Sequence, residues 1–91
     1  PRARVRLNAT DLQSGEAGLD FADRFAKSQG ALVLDLAPDG DPARAASNLY
    51  AFLRRLDASG VASIAVAPVP QAGLGEAIND RLQRAAAPGP A

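Results

Sequence analysis

Where an apolar run hands over to a polar, helix-like stretch, the segment Pro68-Val69-Pro70-Gln71-Ala72-Gly73-Leu74-Gly75-Glu76 sets two glycines at a helix start. The free N–H groups of such a start can hold an anion. Three features weigh against that chemistry. Ile78 stands where the third glycine of a dinucleotide fingerprint would be, two prolines remove donors, and Glu76 already places negative charge in the first turn. The turn therefore reads as structural before it reads as a phosphate site. Farther along the same helix, Asn79, Asp80, Arg81 and Arg84 form a polar stretch. Arg81 and Arg84, three residues apart, could grip a phosphate or a partner carboxylate, against the plainer reading of a solvated helix face. Gly73, Gly75, Asn79, Arg81 and Arg84 are the candidates for ligand binding or domain docking; no residue is a candidate for catalysis or for a metal.

Three other clusters invite the same question. In Ala37-Pro38-Asp39-Gly40-Asp41, Asp39 and Asp41 could serve ribose or a metal at the carboxyl end of a strand. Helix capping by Asp41, with a tight Asp-Gly turn before it, explains them better. Asp35, inside an apolar run, could be a buried carboxylate with a raised pKa, or a strand-end residue held by an Arg or by backbone donors. Arg2, Arg4 and Arg6 line one side of a strand, and Arg54 and Arg55 end a helix. RNA would ask for a stacking platform as well, and the sole Tyr, Tyr50, lies on a helix.

The elements that must position these groups follow from periodicity. Val5, Leu7 and Ala9 alternate with Arg4, Arg6 and Asn8, the period-two pattern of an outer strand. Residues 17–21 repeat the alternation as a second short strand; a helix from Glu16 to Lys27 competes, because Leu19, Phe21 and Phe25 also fit helical spacing. Ala31 to Leu36 and Ser63 to Val69 are nearly continuous apolar runs, expected to be the central parallel pair. Between them, Asp41-Pro42 is an N-cap followed by Pro at the first helical position. Ala45, Leu49, Phe52, Leu53 and Leu56 then make the buried face, with Arg44, Asn48, Arg54 and Arg55 opposite, until Ser59-Gly60. A last helix, about Gly75 to Ala86, buries Ile78, Leu82 and Ala85 and ends at Pro88-Gly89-Pro90. The fold class is α/β: a small Rossmann-like layer fold with a mostly parallel sheet of about four strands, two main helices and a right-handed crossover.

Composition limits what such a fold can do. Ninety-one residues make one small domain. With no Cys and no His, zinc clusters, iron–sulfur centres, disulfides, Cys nucleophiles and Ser-His-Asp triads are all excluded. Ten basic residues balance ten acidic ones, so no overall field draws in nucleic acid or an anionic membrane. No apolar run nears the roughly 18–20 residues of a membrane span, and no signal-type block follows the N-terminal arginines, so a cytoplasmic location is expected.

The stretch from Asn48-Leu49-Tyr50-Ala51-Phe52-Leu53-Arg54-Arg55-Leu56-Asp57 to Gly73-Leu74-Gly75-Glu76-Ala77-Ile78-Asn79-Asp80-Arg81-Leu82 and Arg84-Ala85-Ala86 resembles the C-terminal domain of two-domain L-threonylcarbamoyladenylate synthases. Arg6-Leu7-Asn8-Ala9 and Leu36-Ala37-Pro38-Asp39-Gly40-Asp41 fit the same pattern, and the likeness covers essentially the whole chain. Asp23 departs from it, standing where a Gly often follows the second strand. The resemblance implies a partner, a YrdC-like catalytic domain that binds ATP, with magnesium, L-threonine and bicarbonate. That domain makes threonylcarbamoyl-AMP for tRNA threonylcarbamoyladenosine modification, a nucleotidyltransferase reaction. It also implies that residues 1–91 are a single accessory domain, that Pro1 ends the interdomain linker, and that residues 17–21 are a strand. No cofactor is expected in this segment, and no catalytic role carries over to any position here. The expected role is docking on the catalytic domain to position the linker as a lid, through the Gly73 to Arg84 region or the basic first strand. An independent nucleotide- or anion-binding module, or an oligomerisation domain, are the competing readings.

Overall fold

Helix α1 (Pro42–Ala58) forms where the sequence supplies both ends. The Asp41 side chain accepts the Ala43 N–H at 3.1 Å, Pro42 occupies the first turn, and Gly60 at φ +86° takes the left-handed turn beyond Ser59. The computed structural model describes residues 2–25 and 31–87. In it α1 is accompanied by strands β1 (Arg4–Arg6), β2 (Ala17–Asp20), β3 (Val33–Asp35) and β4 (Ser63–Val66) and by helix α2 (Leu74–Ala86). The expected four-stranded parallel sheet with two helices is thus present, and residues 17–20 are a strand. Residues 21–25 form a turn with Ala22 and Asp23 left-handed, so the alternative helix is absent there; its end at 26–27, the terminator Pro88-Gly89-Pro90 and the reading of Pro1 lie outside the described residues.

The sheet order is β1-β4-β2-β3, with every pair parallel. This corrects the expectation that the runs 31–36 and 63–69 form the central pair. β2 lies between them, all four of its residues are buried, and β3 is an edge strand with half-buried residues. Gly18 and Asp20 made β2 look too polar and too small for a centre. Gly18 is what lets the centre form, since a Cβ there would meet Leu12 and Phe25 side-chain carbons at 3.1 Å. Strand ends are also shorter than the apolar runs. Pro68 and Pro70 cannot donate to a ladder, so β4 closes at Val66, although the Ala67 N–H still reaches the Leu19 carbonyl at 3.0 Å. In the first strand, Asn8 turns left-handed at φ +55° and ends β1 at Arg6; the Ala9 N–H returns to the Val66 carbonyl at 2.8 Å.

The two helices pack on each other and on β1 and β2, and so share one face of the sheet. The register sets Val5, Ile64 and Ala17 in one row and Val66, Leu19 and Leu34 in the next, making the apolar floor under Leu49, Leu56, Ile78 and Leu82. The other face is covered by Leu12 and Phe25 over Gly18. Asn48, expected on the solvent side of α1, is instead half-buried and donates its amide to the Leu36 carbonyl at 2.9 Å. That bond ties α1 to the end of β3. Among the described residues, no helix is long and apolar enough to cross a membrane.

Candidate functional site

The five candidate residues divide between two places on α2. At its start, Gly73 takes φ +55° and caps the helix without a side chain, while Gly75 is buried against the preceding loop. A Cβ on Gly75 would lie 1.8 Å from the Pro70 carbonyl oxygen. Asn79 reaches back from the second turn: its amide donates to the Val69 carbonyl at 2.8 Å and to the Gly75 carbonyl at 2.9 Å. Gly75 and Asn79 therefore lock the 68–75 turn onto the helix. The Gly75 and Glu76 N–H groups are taken by the Ala72 and Gly73 carbonyls, at 2.9 and 3.1 Å.

Arg81 and Arg84 lie farther along, where α2 meets α1. The Arg81 guanidinium sits over the Tyr50 ring, 4.9 Å from its centroid, and Arg84 pairs with Asp80 at 3.3 Å in an exposed bridge. Two adjoining depressions of about 340 and 370 Å³ share Tyr50, Arg81 and Arg84. Their floor is carbon, from Ala46, Leu49 and Leu53 on α1 and Ala77, Ile78 and Ala85 on α2. Arg54 and Asp57 close one end. Asp57 is turned toward the sheet, where it accepts the Ala3 N–H at 2.8 Å, and that bond holds its carboxyl below the usual range. In the groove the candidates Arg81 and Arg84 of α2 meet Tyr50 and Arg54 of α1. Sequence reasoning singled out Arg81 and Arg84 but missed Tyr50, which lies 31 positions before Arg81 in the chain.

Three aspartates also converge: carboxylate oxygens of Asp20, Asp23 and Asp35 come within 4.8 Å of one another. Their donors explain the cluster. Asp20, 1% exposed, accepts the N–H groups of Phe21, Arg24 and Phe25 at 2.7, 3.1 and 2.8 Å. Asp35 accepts those of Asp23 and Ala37 at 2.8 and 3.0 Å. This is the strand-end arrangement with backbone donors. Burial pushes the Asp35 carboxyl up, the two N–H donors oppose that, and the charges of Asp20 and Asp23 add to it. Asp39 and Asp41 act as the turn-and-cap reading requires: Asp39 accepts the Asp41 N–H at 3.1 Å and faces Arg44 at 3.4 Å.

The basic first strand is partly consumed by its own loop. Arg6 grips the buried Glu16 with two bonds, Nη2 to Oε1 at 2.6 Å and Nε to Oε2 at 3.0 Å, and the Gln13 N–H and Ser63 hydroxyl complete the carboxylate's partners. The Arg6 guanidinium first, then the Gln13 and Ser63 donors, hold the Glu16 carboxyl down to about 2, against the opposing effect of burial. The ordinary value is 4.5. A depressed folded-state pKa stabilises above the unfolded pKa and is lost as pH falls through the folded one. The fold should therefore lose about 2 kcal/mol between about pH 4.5 and about pH 2, the full shift being discounted because Arg6 is a third exposed. Asp35 works in the opposite sense and leaves the Glu16 contribution to be isolated by difference. In urea titrations across pH, wild type should exceed Glu16→Gln near neutrality and converge on it by about pH 2; a constant gap would show that this ion pair does not set the acid limb.

Compared with known proteins, the chain gave no match among curated proteins or among solved structures. The family model described as Threonylcarbamoyl-AMP synthase, C-terminal domain, does match, over residues 1–87, from before β1 to the end of α2. With that span covering every strand and helix of the described residues and the groove between α1 and α2, the chain belongs to the family of threonylcarbamoyl-AMP synthase C-terminal domains.

Proposed function

We propose that this chain is the accessory domain of a threonylcarbamoyl-AMP synthase, and that it acts by docking on a YrdC-like catalytic domain and holding the interdomain linker as a lid. The single observation that carries the reading is the family match over residues 1–87. The disposition of the ionisable groups supports it. Glu16, Asp20, Asp35, Asp41 and Asp57 each satisfy backbone or side-chain partners within the domain. On this reading chemistry belongs to the partner, which would bind ATP with magnesium, L-threonine and bicarbonate and release pyrophosphate. The nucleotidyltransferase step serves tRNA modification in the cytoplasm, without direct nucleic-acid contact by this domain. Closing a lid over such a site excludes water from a reactive adenylate and orders the substrates, and this gating is what a non-catalytic domain can contribute.

The test is ATP-dependent pyrophosphate release with L-threonine and bicarbonate, for this chain alone, for a matching catalytic domain alone, and for the two joined by their linker. The chain alone should be inert. The joined protein should exceed the catalytic domain by roughly tenfold in kcat/KM, equivalent to about 1.4 kcal/mol. Turnover by the chain alone, or equal rates with and without it, would sink the accessory reading.

A further inference from the structure

The groove between α1 and α2 has the composition of a binding surface rather than of a solvated helix face. Its floor is aliphatic, while Tyr50, 50% exposed, stands at its centre under the Arg81 guanidinium. From Ala46 to Asp57 it runs along twelve residues of α1, roughly 16 Å at the helical rise. That length matches about three turns of a helix laid into it. The charged groups around it are Arg54, Asp57, Asp80, Arg81 and Arg84. Asp57 keeps its charge but is oriented by the Ala3 N–H, and Asp80 offsets Arg84 through an exposed bridge that a competing carboxylate can replace. Arg54 and Arg81, one on each bank, form no ion pair with a described residue. In a chain of zero net charge, three arginines against two carboxylates give this apolar trough a positive excess of one.

We propose that the groove receives an acidic amphipathic helix of the catalytic domain. Its apolar side chains would cover Tyr50, Leu53 and Ala85, and its carboxylates would face Arg54 and Arg81. Because this deepens the docking reading above, it rests on that reading. Charge complementarity selects the occupant. A second copy of the chain would bring the same excess of arginines to this face, which carboxylates on a different partner complement instead. RNA would leave the aliphatic floor uncovered, and the Tyr50 face that could stack a base already carries Arg81. A protein helix with an apolar stripe and flanking carboxylates satisfies both the floor and the banks.

The experiment is calorimetric titration of the 91-residue chain into a matching catalytic domain whose own basal pyrophosphate release shows it to be folded. Arg54→Glu, Arg81→Glu and Tyr50→Ala, all at exposed positions, should each weaken binding by roughly tenfold or more while leaving the thermal midpoint of the chain nearly unchanged. Added salt should weaken wild type more than Arg81→Glu. Arg4→Glu, on the sheet face away from the helices, should leave the affinity as it is. If the catalytic domain binds but only Arg4→Glu weakens it, the groove proposal is overturned and docking through the first strand stands. If no binding occurs with any variant, the docking reading itself has failed and takes the groove with it. Sedimentation and gel-shift arms complete the test: self-association of the chain, or a shift of a transfer RNA probe, that Arg81→Glu abolishes would overturn the proposal for a second copy or for RNA.

Discussion

Gly75→Ala should lower the stability of this domain by roughly 2–3 kcal/mol, even though alanine is the better helix former by about 1 kcal/mol. The added methyl carbon would lie 1.8 Å from the Pro70 carbonyl oxygen and 3.1 Å from its carbon, and both are backbone atoms that cannot swing aside. Either the 68–75 turn or the whole of α2 has to move. The Asn79 amide, bonded to both Val69 and Gly75, would then lose one of its two acceptors. For a domain of this size, the thermal midpoint should fall by roughly 10–20 °C. Displacing α2 also displaces Arg81 and Arg84 from α1, so any docking through the groove should weaken in parallel. A midpoint within a few degrees of wild type would show that the turn does not press on Gly75.

The second large effect is expected at Asp20. Its carboxylate is buried and accepts three backbone N–H groups, those of Phe21, Arg24 and Phe25, from a loop otherwise held by the Ala22 N–H on the Ala37 carbonyl and the Asp23 N–H on Asp35. Ala22 and Asp23 both sit in the left-handed region, at φ +57° and +58°, which non-glycine residues adopt only under constraint. Asp20→Ala would orphan those donors at about 1–3 kcal/mol each, in total roughly 3–5 kcal/mol once the exposed Arg24 N–H finds water. Asp20→Asn keeps the oxygen that serves Phe21 and Arg24 but turns an NH₂ group toward the Phe25 N–H, and should recover about half of the loss. Urea unfolding orders the three proteins, and hydrogen exchange at the Phe21 and Phe25 amides locates the damage. Equal stability of the alanine and asparagine variants would mean that the carboxylate does not hold the loop.

Much of the machinery for these effects could be read from the chain, because it is local. Asp41-Pro42 and Ser59-Gly60 bracket α1 by capping chemistry that involves neighbours in sequence, and the structure places the helix at Pro42–Ala58. The prolines at 68 and 70 and the glycines at 73 and 75 announced a break before α2 for the same reason. Arg81 and Arg84 were visible as a pair on one helix, and Asp35 as a carboxylate at a strand end. The absence of Cys and His, and the balance of charge, excluded whole classes of chemistry before any fold was considered.

What the chain did not disclose depends on partners distant in sequence. An apolar run reports that a strand is covered, not which strands lie beside it, so Ala31–Leu36 looked central while Gly18 and Asp20 made the true centre look marginal. Asp20 can be buried in mid-sheet only because a loop folds three N–H groups back onto it. The ion pair of Arg6 with Glu16, the Asn48 bond to Leu36 and the stacking of Arg81 on Tyr50 all join segments that only the packed sheet and helices bring together. Local patterns set the elements and their ends, since those energies arise within a few residues. The strand order, the role of Gly75 and the groove were decided by tertiary structure, because steric contact and charge pairing act through space and are indifferent to separation along the chain.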